Sequence, residues 1–359
     1  MSSPRRPAAR STPWRCWPSA GHACQPTWSR AASTCAKARY RATRTEKSTA
    51  RRWRAKRHDI PSTGRGTRAR LAGDATLSAS DQAPLVSVCI PTWCGGAFLS
   101  QAIESVLQQT WPDFELVVID DASPDDTTER VSQHLNDKRV RYLCNERNLG
   151  AQGNWNRCLD VARGRYIKVL PHDDLLSPDC LERQVDALER HPDAVLAFGA
   201  RRIIDSRNRQ LFIKRPPWPT GQVSARDVLR GCVRGGTNLI GEPGAVLFRR
   251  SAAVKAGAFD ASIPYVLDLD YWSRLLAQGD AWCDKAALAS FRVSHQSWSV
   301  AIGRKQAEEF ERFIDRIAQQ PQVLANGKDR FIGRARARAN GVARRVIYAL
   351  TLTGKRETS

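Results

Sequence analysis

Two carboxylates, Asp173 and Asp174, follow a short apolar stretch at 166–170 and precede Ser177 and Pro178. The serine suits a helix N-cap and the proline a first helical position, so the acids sit on a loop between a strand and a helix. Open α/β sheets bind ligands at that place. Hard oxygen ligands there suit Mn²⁺ or Mg²⁺, and such an ion holds a diphosphate in turn. An Asp-Asp pair on its own reads more simply as a solvated acidic turn, so the surrounding elements must decide. A second acidic pair, Asp120 and Asp121, closes the apolar stretch at 114–119, and Asp125 and Asp126 open a helix after it.

The elements that position these acids alternate regularly. Apolar strands are predicted at 85–90, 114–119, 140–144, 166–170 and 194–199. Helices are predicted at 98–108, from Ser123 onward, at 151–162 and at 178–190. This spacing means an α/β fold: a doubly wound, mainly parallel sheet with helices on both faces. Beyond Ala200 the pattern loosens into a helix at 225–232, a strand at 244–248, and helices at 268–278 and 308–319. We divide the chain into a tail at 1–80, a catalytic domain at 84–300 and a C-terminal helical extension at 301–359.

Charge separates the tail from the rest. The chain carries a net charge of +21, but residues 1–80 hold 18 Lys/Arg against only Glu46, Asp59 and Asp74, a net +15. Few apolar residues are present there to offset chain entropy, so the segment is expected to be a disordered basic tail or a spurious extension upstream of the true start. An anionic-surface arm and a transit peptide are the other readings. The body is nearly balanced, which argues against a nucleic-acid-binding protein, and no recognition motif is present. Its seven cysteines form no CxxC pair and are expected as small buried hydrophobes in a reducing compartment. The uncharged stretch at 82–103 is interrupted by Pro91, Gly95 and Gly96, so no membrane span is expected. The last forty residues interleave nine Lys/Arg with Phe331, Ile332, Val342, Val346, Ile347 and Leu350. They form either an amphipathic helix on anionic lipid or a helix docked on the core.

The segments Val86 to Trp93, Ala102 to Trp111 and Glu115 to Ser123, then Asn148-Leu149-Gly150, Gly153 to Leu159 and His172-Asp173-Asp174, occur in an order that resembles family-2 inverting glycosyltransferases with the GT-A fold. The resemblance covers roughly residues 85–300, and the ordered combination is far more specific than any single motif. It implies transfer of a sugar from a nucleotide-diphosphate sugar, with a UDP-sugar favoured, to an acceptor hydroxyl.

On that resemblance, Asp121 accepts the ring imide of the base, Trp93 stacks on it or packs in the core, and Pro91 and Asn148 complete the nucleotide site. The metal motif Asp-x-Asp appears as Pro171-His172-Asp173-Asp174, with its first acid missing. Asp173 is the implied Mn²⁺ or Mg²⁺ ligand, joined by His295 from the segment that closes over the diphosphate. Asp174 is a sugar-binding or supporting acid. Asp268 falls at the position of the general base that deprotonates the acceptor hydroxyl; its bland role is a helix N-cap. Asp270 orients the helix or joins Glu242 on the sugar and acceptor side.

The partners so implied are a nucleotide-sugar donor and a saccharide or lipid-linked acceptor, in bacterial envelope or exopolysaccharide assembly. The expected location is cytoplasmic, including the inner face of the plasma membrane. A sugar nucleotidyltransferase is the rival enzyme, but Thr92 to Gly96 lacks the basic phosphate loop it would need.

Overall fold

The computed structural model describes residues 83–294, 305–318, 320, 323 and 325–352. Its strands are β1 (Val86–Thr92), β2 (Phe114–Asp120), β3 (Val140–Cys144), β4 (Tyr166–Val169), β5 (Leu175–Leu176), β6 (Ala194–Ile204), β7 (Gln210–Lys214), β8 (Gly221–Val223), β9 (Val246–Arg249) and β10 (Asp280–Arg292). The α-helices are α1 (Gly96–Leu107), α2 (Thr127–Ser132), α3 (Gly150–Val161), α4 (Cys180–Arg190), α5 (Ala225–Gly235), α6 (Arg250–Ala256), α7 (Leu267–Leu276), α8 (Gln306–Ile317) and α9 (Gly327–Leu352).

All these strands join one sheet in the order β3-β2-β1-β4-β9-β6-β10-β5, with β7 beside β6 and β8 beside β10. β1 runs parallel to both β2 and β4, and β2 to β3, whereas β9 is antiparallel to β4 and β6. The chain steps from β1 out to β2 and β3, then returns to lay β4 on the other side of β1. That reversal opens a crevice at the carboxyl ends of β1 and β4, between Thr92 and Pro171.

Both faces of the central strands are covered, which is why β1, β2 and β4 are buried along their whole lengths. Alternate residues separate into two cores. Val88 and Ile90 pack with Leu99, Ile103 and Leu181 on one side. Cys89, Val117 and Val169 pack on the other with Phe248, Tyr271 and Trp272. Phe310, Phe313, Ile314 and Ile317 of α8 belong to this second core. α9 lies on the end of α5, where Gly236 turns with φ 60° and the Ala337 backbone leaves no room for a Cβ.

Three local expectations need correction. Ser177 is not the N-cap of α4. That place belongs to Asp179, and the Ser177 hydroxyl instead donates to Ala287 O (2.7 Å) and accepts from Arg202 (2.7 Å). The helix expected from Ser123 begins at Thr127, because Asp125 accepts from Thr127 N and Oγ1 and holds a turn first. β10 is a long strand where none is predicted. Its register shifts around Asp284 and Ala287 break the apolar pattern that would have marked it.

Candidate active site

The acids gather at the carboxyl ends of the parallel strands. Asp121 N donates to Thr92 O at 2.9 Å, tying the end of β2 to that of β1. The Asp121 carboxylate does not serve α2. It accepts from Asn145 Nδ2 (2.8 Å), Leu149 N (2.8 Å) and Gly150 N (2.9 Å), pinning the start of α3. Asn154 completes the frame, accepting from Asn145 and donating to Ile119 O at 2.9 Å. Of roughly four acceptor positions on a carboxylate, three are used by these protein donors.

Asp121→Asn turns an amide NH₂ toward these donors and is expected to cost about 1–3 kcal/mol of stability. Urea unfolding measures it, and an unchanged midpoint would refute the network's importance. Around this frame, Trp93 is 40% exposed and therefore outside the core. Cys94 follows it in a left-handed turn (φ 52°) held by Ser123 Oγ. Asn148 is exposed and accepts from Gly150 N, and Pro91 is buried within β1.

On the β4 side, Asp173 is partly exposed and Asp174 is buried. Asp174 accepts from Arg292 N at 3.0 Å, while the Arg292 guanidinium donates to Asp173 O at 2.7 Å, to Asp205 O, to Asn208 and to Gln101, and lies over the Phe98 ring. Burial, and then the neighbouring Asp173 charge, raise the Asp174 carboxyl well above the usual range. His172 lies near Gly95, so the loops after β1 and β4 are in contact.

No group of three or more His, Cys, Asp or Glu is arranged to hold an ion among the described residues, and His295 lies outside them, as does the whole of 1–80. The donor set at Asp173 nevertheless fits Mn²⁺ or Mg²⁺. Hard cations of this kind are held by one or two carboxylates, with substrate phosphates and water completing the shell.

A second, largely buried charge cluster gathers around Glu242. Glu242 forms an ion pair with Arg201, whose guanidinium also donates to Asn238 O at 3.2 Å. Burial pushes the Glu242 carboxyl up, but Arg201 and Lys214 overcome this and hold it below its ordinary value. Burial, with Arg201 adding to it, lowers Lys214 to about 8. Asp268 sits in the first turn of α7; the N-cap is Val266, so the capping role does not fall to Asp268. Its carboxylate accepts from Asn238 Nδ2 (2.9 Å) and Leu269 N (2.7 Å). Burial first, and the Glu242 charge second, raise it to about 7. Glu242 also acts on Asp174, so it stands electrostatically between the β4 loop and the start of α7.

Asp270 points elsewhere. Two residues along a helix is a rotation of about 200°, and Asp270 pairs with Arg274 and with Arg316 of α8, each at 3.1 Å.

Arg201, Lys214 and Asn145 belong to the site without having been expected there from sequence, whereas Asn238 and Arg292 lie in segments, 238–244 and 291–299, that the family resemblance implied for it without singling them out. For Arg201 a signal existed: it follows the apolar run that opens β6, where a buried charge demands a partner. Asn145 carried none.

A GT-A-type sheet with acids at its switch point defines the class, and comparison with known proteins agrees. The Glycosyl transferase family 2 model matches residues 87–256. A Mycobacterium tuberculosis protein (strain CDC 1551 / Oshkosh), itself described as uncharacterised, is 37% identical over 221 residues, covering 57% of this chain and 67% of its own length. An uncharacterised glycosyltransferase of Rickettsia typhi is 28% identical over 285 residues, covering 76% and 86%. Among solved structures, Staphylococcus aureus TarS 1–349 in complex with UDP-GlcNAc superposes with a TM-score of 0.53 at 18% identity, over 65% of each chain. The mannosyltransferase PcManGT of Pyrobaculum calidifontis, in complex with GDP-Man and Mn²⁺, gives 0.50 at 17% identity, over 89% of this chain and 91% of its own. The chain belongs to glycosyl transferase family 2 and is a glycosyltransferase.

Proposed function

We propose that this glycosyltransferase moves a sugar, with inversion, from a nucleotide-diphosphate sugar to an acceptor hydroxyl, with Asp268 as the general base. The observation that carries this reading is the setting of Asp268. A carboxylate raised to about 7 and oriented by Asn238 and Leu269 N is matched to taking a hydroxyl proton near neutral pH. Glu242 is committed to Arg201 and Lys214, which leaves one acid available and supports a single displacement.

On the donor side, Asp121 and Trp93 receive the base, and Pro91 and Asn148 complete that site. UDP is favoured; the UDP-GlcNAc and GDP-Man bound to the two structural relatives support a nucleotide sugar in general. Asp173, with His295, would hold Mn²⁺ or Mg²⁺, which when bound offsets charge on the leaving diphosphate. Asp174 and Glu242 line the sugar and acceptor side, with Asp270 fixing the helix that carries the base. The acceptor is a saccharide or a lipid-linked saccharide at the cytoplasmic membrane face, in polysaccharide assembly. No described helix is long and apolar enough to cross a membrane.

The test is hydrolysis of a panel of UDP-, GDP- and dTDP-sugars by the full chain, with and without Mn²⁺. Release of UDP above the others is expected. No hydrolysis of any of them, with or without metal, would overturn the reading.

A further inference from the structure

The outward face of α9 is apolar where a docked surface helix is ordinarily polar. Gly333, Ala337 and Gly341 are buried against the protein. On the opposite side, Phe331 is 77% exposed, Val342 51% and Val346 52%, with Ala335 exposed in the same row. Their spacing of four, seven and four residues makes one stripe about 22 Å long. Exposed Lys328 and Arg345 border it, and Arg338, held by Glu311 of α8 at 2.7 Å, interrupts it between Ala335 and Val342. From Arg330 to Arg356 the sequence contains no Asp or Glu, and the one acid of α9, Asp329, is buried against Arg230 and Arg234.

From this we infer that α9 binds the surface of an anionic lipid bilayer, with Phe331, Val342 and Val346 entering the headgroup boundary and the flanking cations meeting lipid phosphates. Charge selects this occupant over two others. The segment 1–80 is itself strongly basic, and a second copy would bring an equally basic helix; both would be repelled. The inference deepens the membrane-face part of the proposed function, because the inner side of α9 adjoins the acceptor side. Arg344 lies over the Tyr265 ring, just before α7, and its charge acts on Lys214 in the Glu242 cluster. A helix resting on the bilayer therefore sets the cleft of Asp268 beside the membrane, where a lipid-linked hydroxyl would arrive.

Flotation of the full chain with vesicles decides it. Binding is expected to vesicles of equal phosphatidylcholine and phosphatidylglycerol, not to phosphatidylcholine alone, and to weaken as salt rises. The triple variant Phe331→Gln, Val342→Gln, Val346→Gln keeps every charge and should lose about tenfold or more in partitioning, with melting temperature and nucleotide-sugar hydrolysis unchanged. Should that variant fold poorly, Arg338→Gln with Arg345→Gln tests the same surface through its charge and should likewise weaken binding. Undiminished binding of the variants would assign the effect to the basic segment 1–80 and overturn the inference. So would no binding by the wild type, or a dimer that the triple variant dissolves. A wild type that floats but hydrolyses no nucleotide sugar would refute the proposed function and leave the lipid surface standing.

Discussion

Asp268→Asn lowers turnover by about 10²–10⁴-fold, the range for a positioned general base, while donor affinity stays near wild type. The split follows from geometry: Asp268 belongs to the Asn238–Glu242 cluster, while the site proposed for the nucleotide lies at the ends of β1, β2 and β4. The base works as a carboxylate, so kcat/KM should rise as pH passes upward through about 7 and level above it. Glu242→Gln removes a charge that raises Asp268, and must move this limb to lower pH.

Asp270→Asn behaves differently. It loosens the pairing with Arg274 and Arg316, costing about 1–3 kcal/mol of stability while sparing the chemistry. Initial rates against pH, titration calorimetry of the donor and thermal unfolding separate the two. Near-normal turnover in Asp268→Asn, or greater damage in Asp270→Asn, would sink the assignment of the base.

Asp173→Asn removes the carboxylate proposed to hold the ion. Loss of outer partners alone costs 10–100-fold at metal sites, so the decline in Mn²⁺-dependent turnover should be on the order of 10²-fold or more. Because Pro171 supplies no ligand, affinity for the ion should be weak without nucleotide and strong with the diphosphate present. Mn²⁺ paramagnetic titration with and without UDP reads this directly. Turnover that persists without metal in the wild type would refute the role of Asp173. Unfolding of the variant would instead point to the loop's ties to Arg292.

Much of this was legible in sequence because parallel strands buried on both faces appear as continuous apolar runs, and the acids that follow them are conspicuous. β1, β2, β4 and the first part of β6 could be read for that reason. β10 could not, since its bulges and charged Asp284 and Lys285 hide a 13-residue strand. At the site, positions were easier than partners. Asp121 stands out in sequence as a ligand-binding acid, yet its carboxylate is held mostly by Asn145 and the 149–150 backbone, groups whose proximity depends on how β3 enters α3. Likewise nothing local to Asp268 reveals that Glu242, 26 positions earlier, adds to the rise that burial gives its carboxyl.

Arg292 binds together Gln101 in α1, the Asp173 carbonyl, Asp205 and Asn208, groups from three separate stretches of chain. Such a junction has one way to open. The amides of the loop carrying Asp173 and those at the end of β10 are therefore expected to exchange as a single cooperative unit. On that expectation the loop carrying Asp173 is as durable as the end of β10 that braces it.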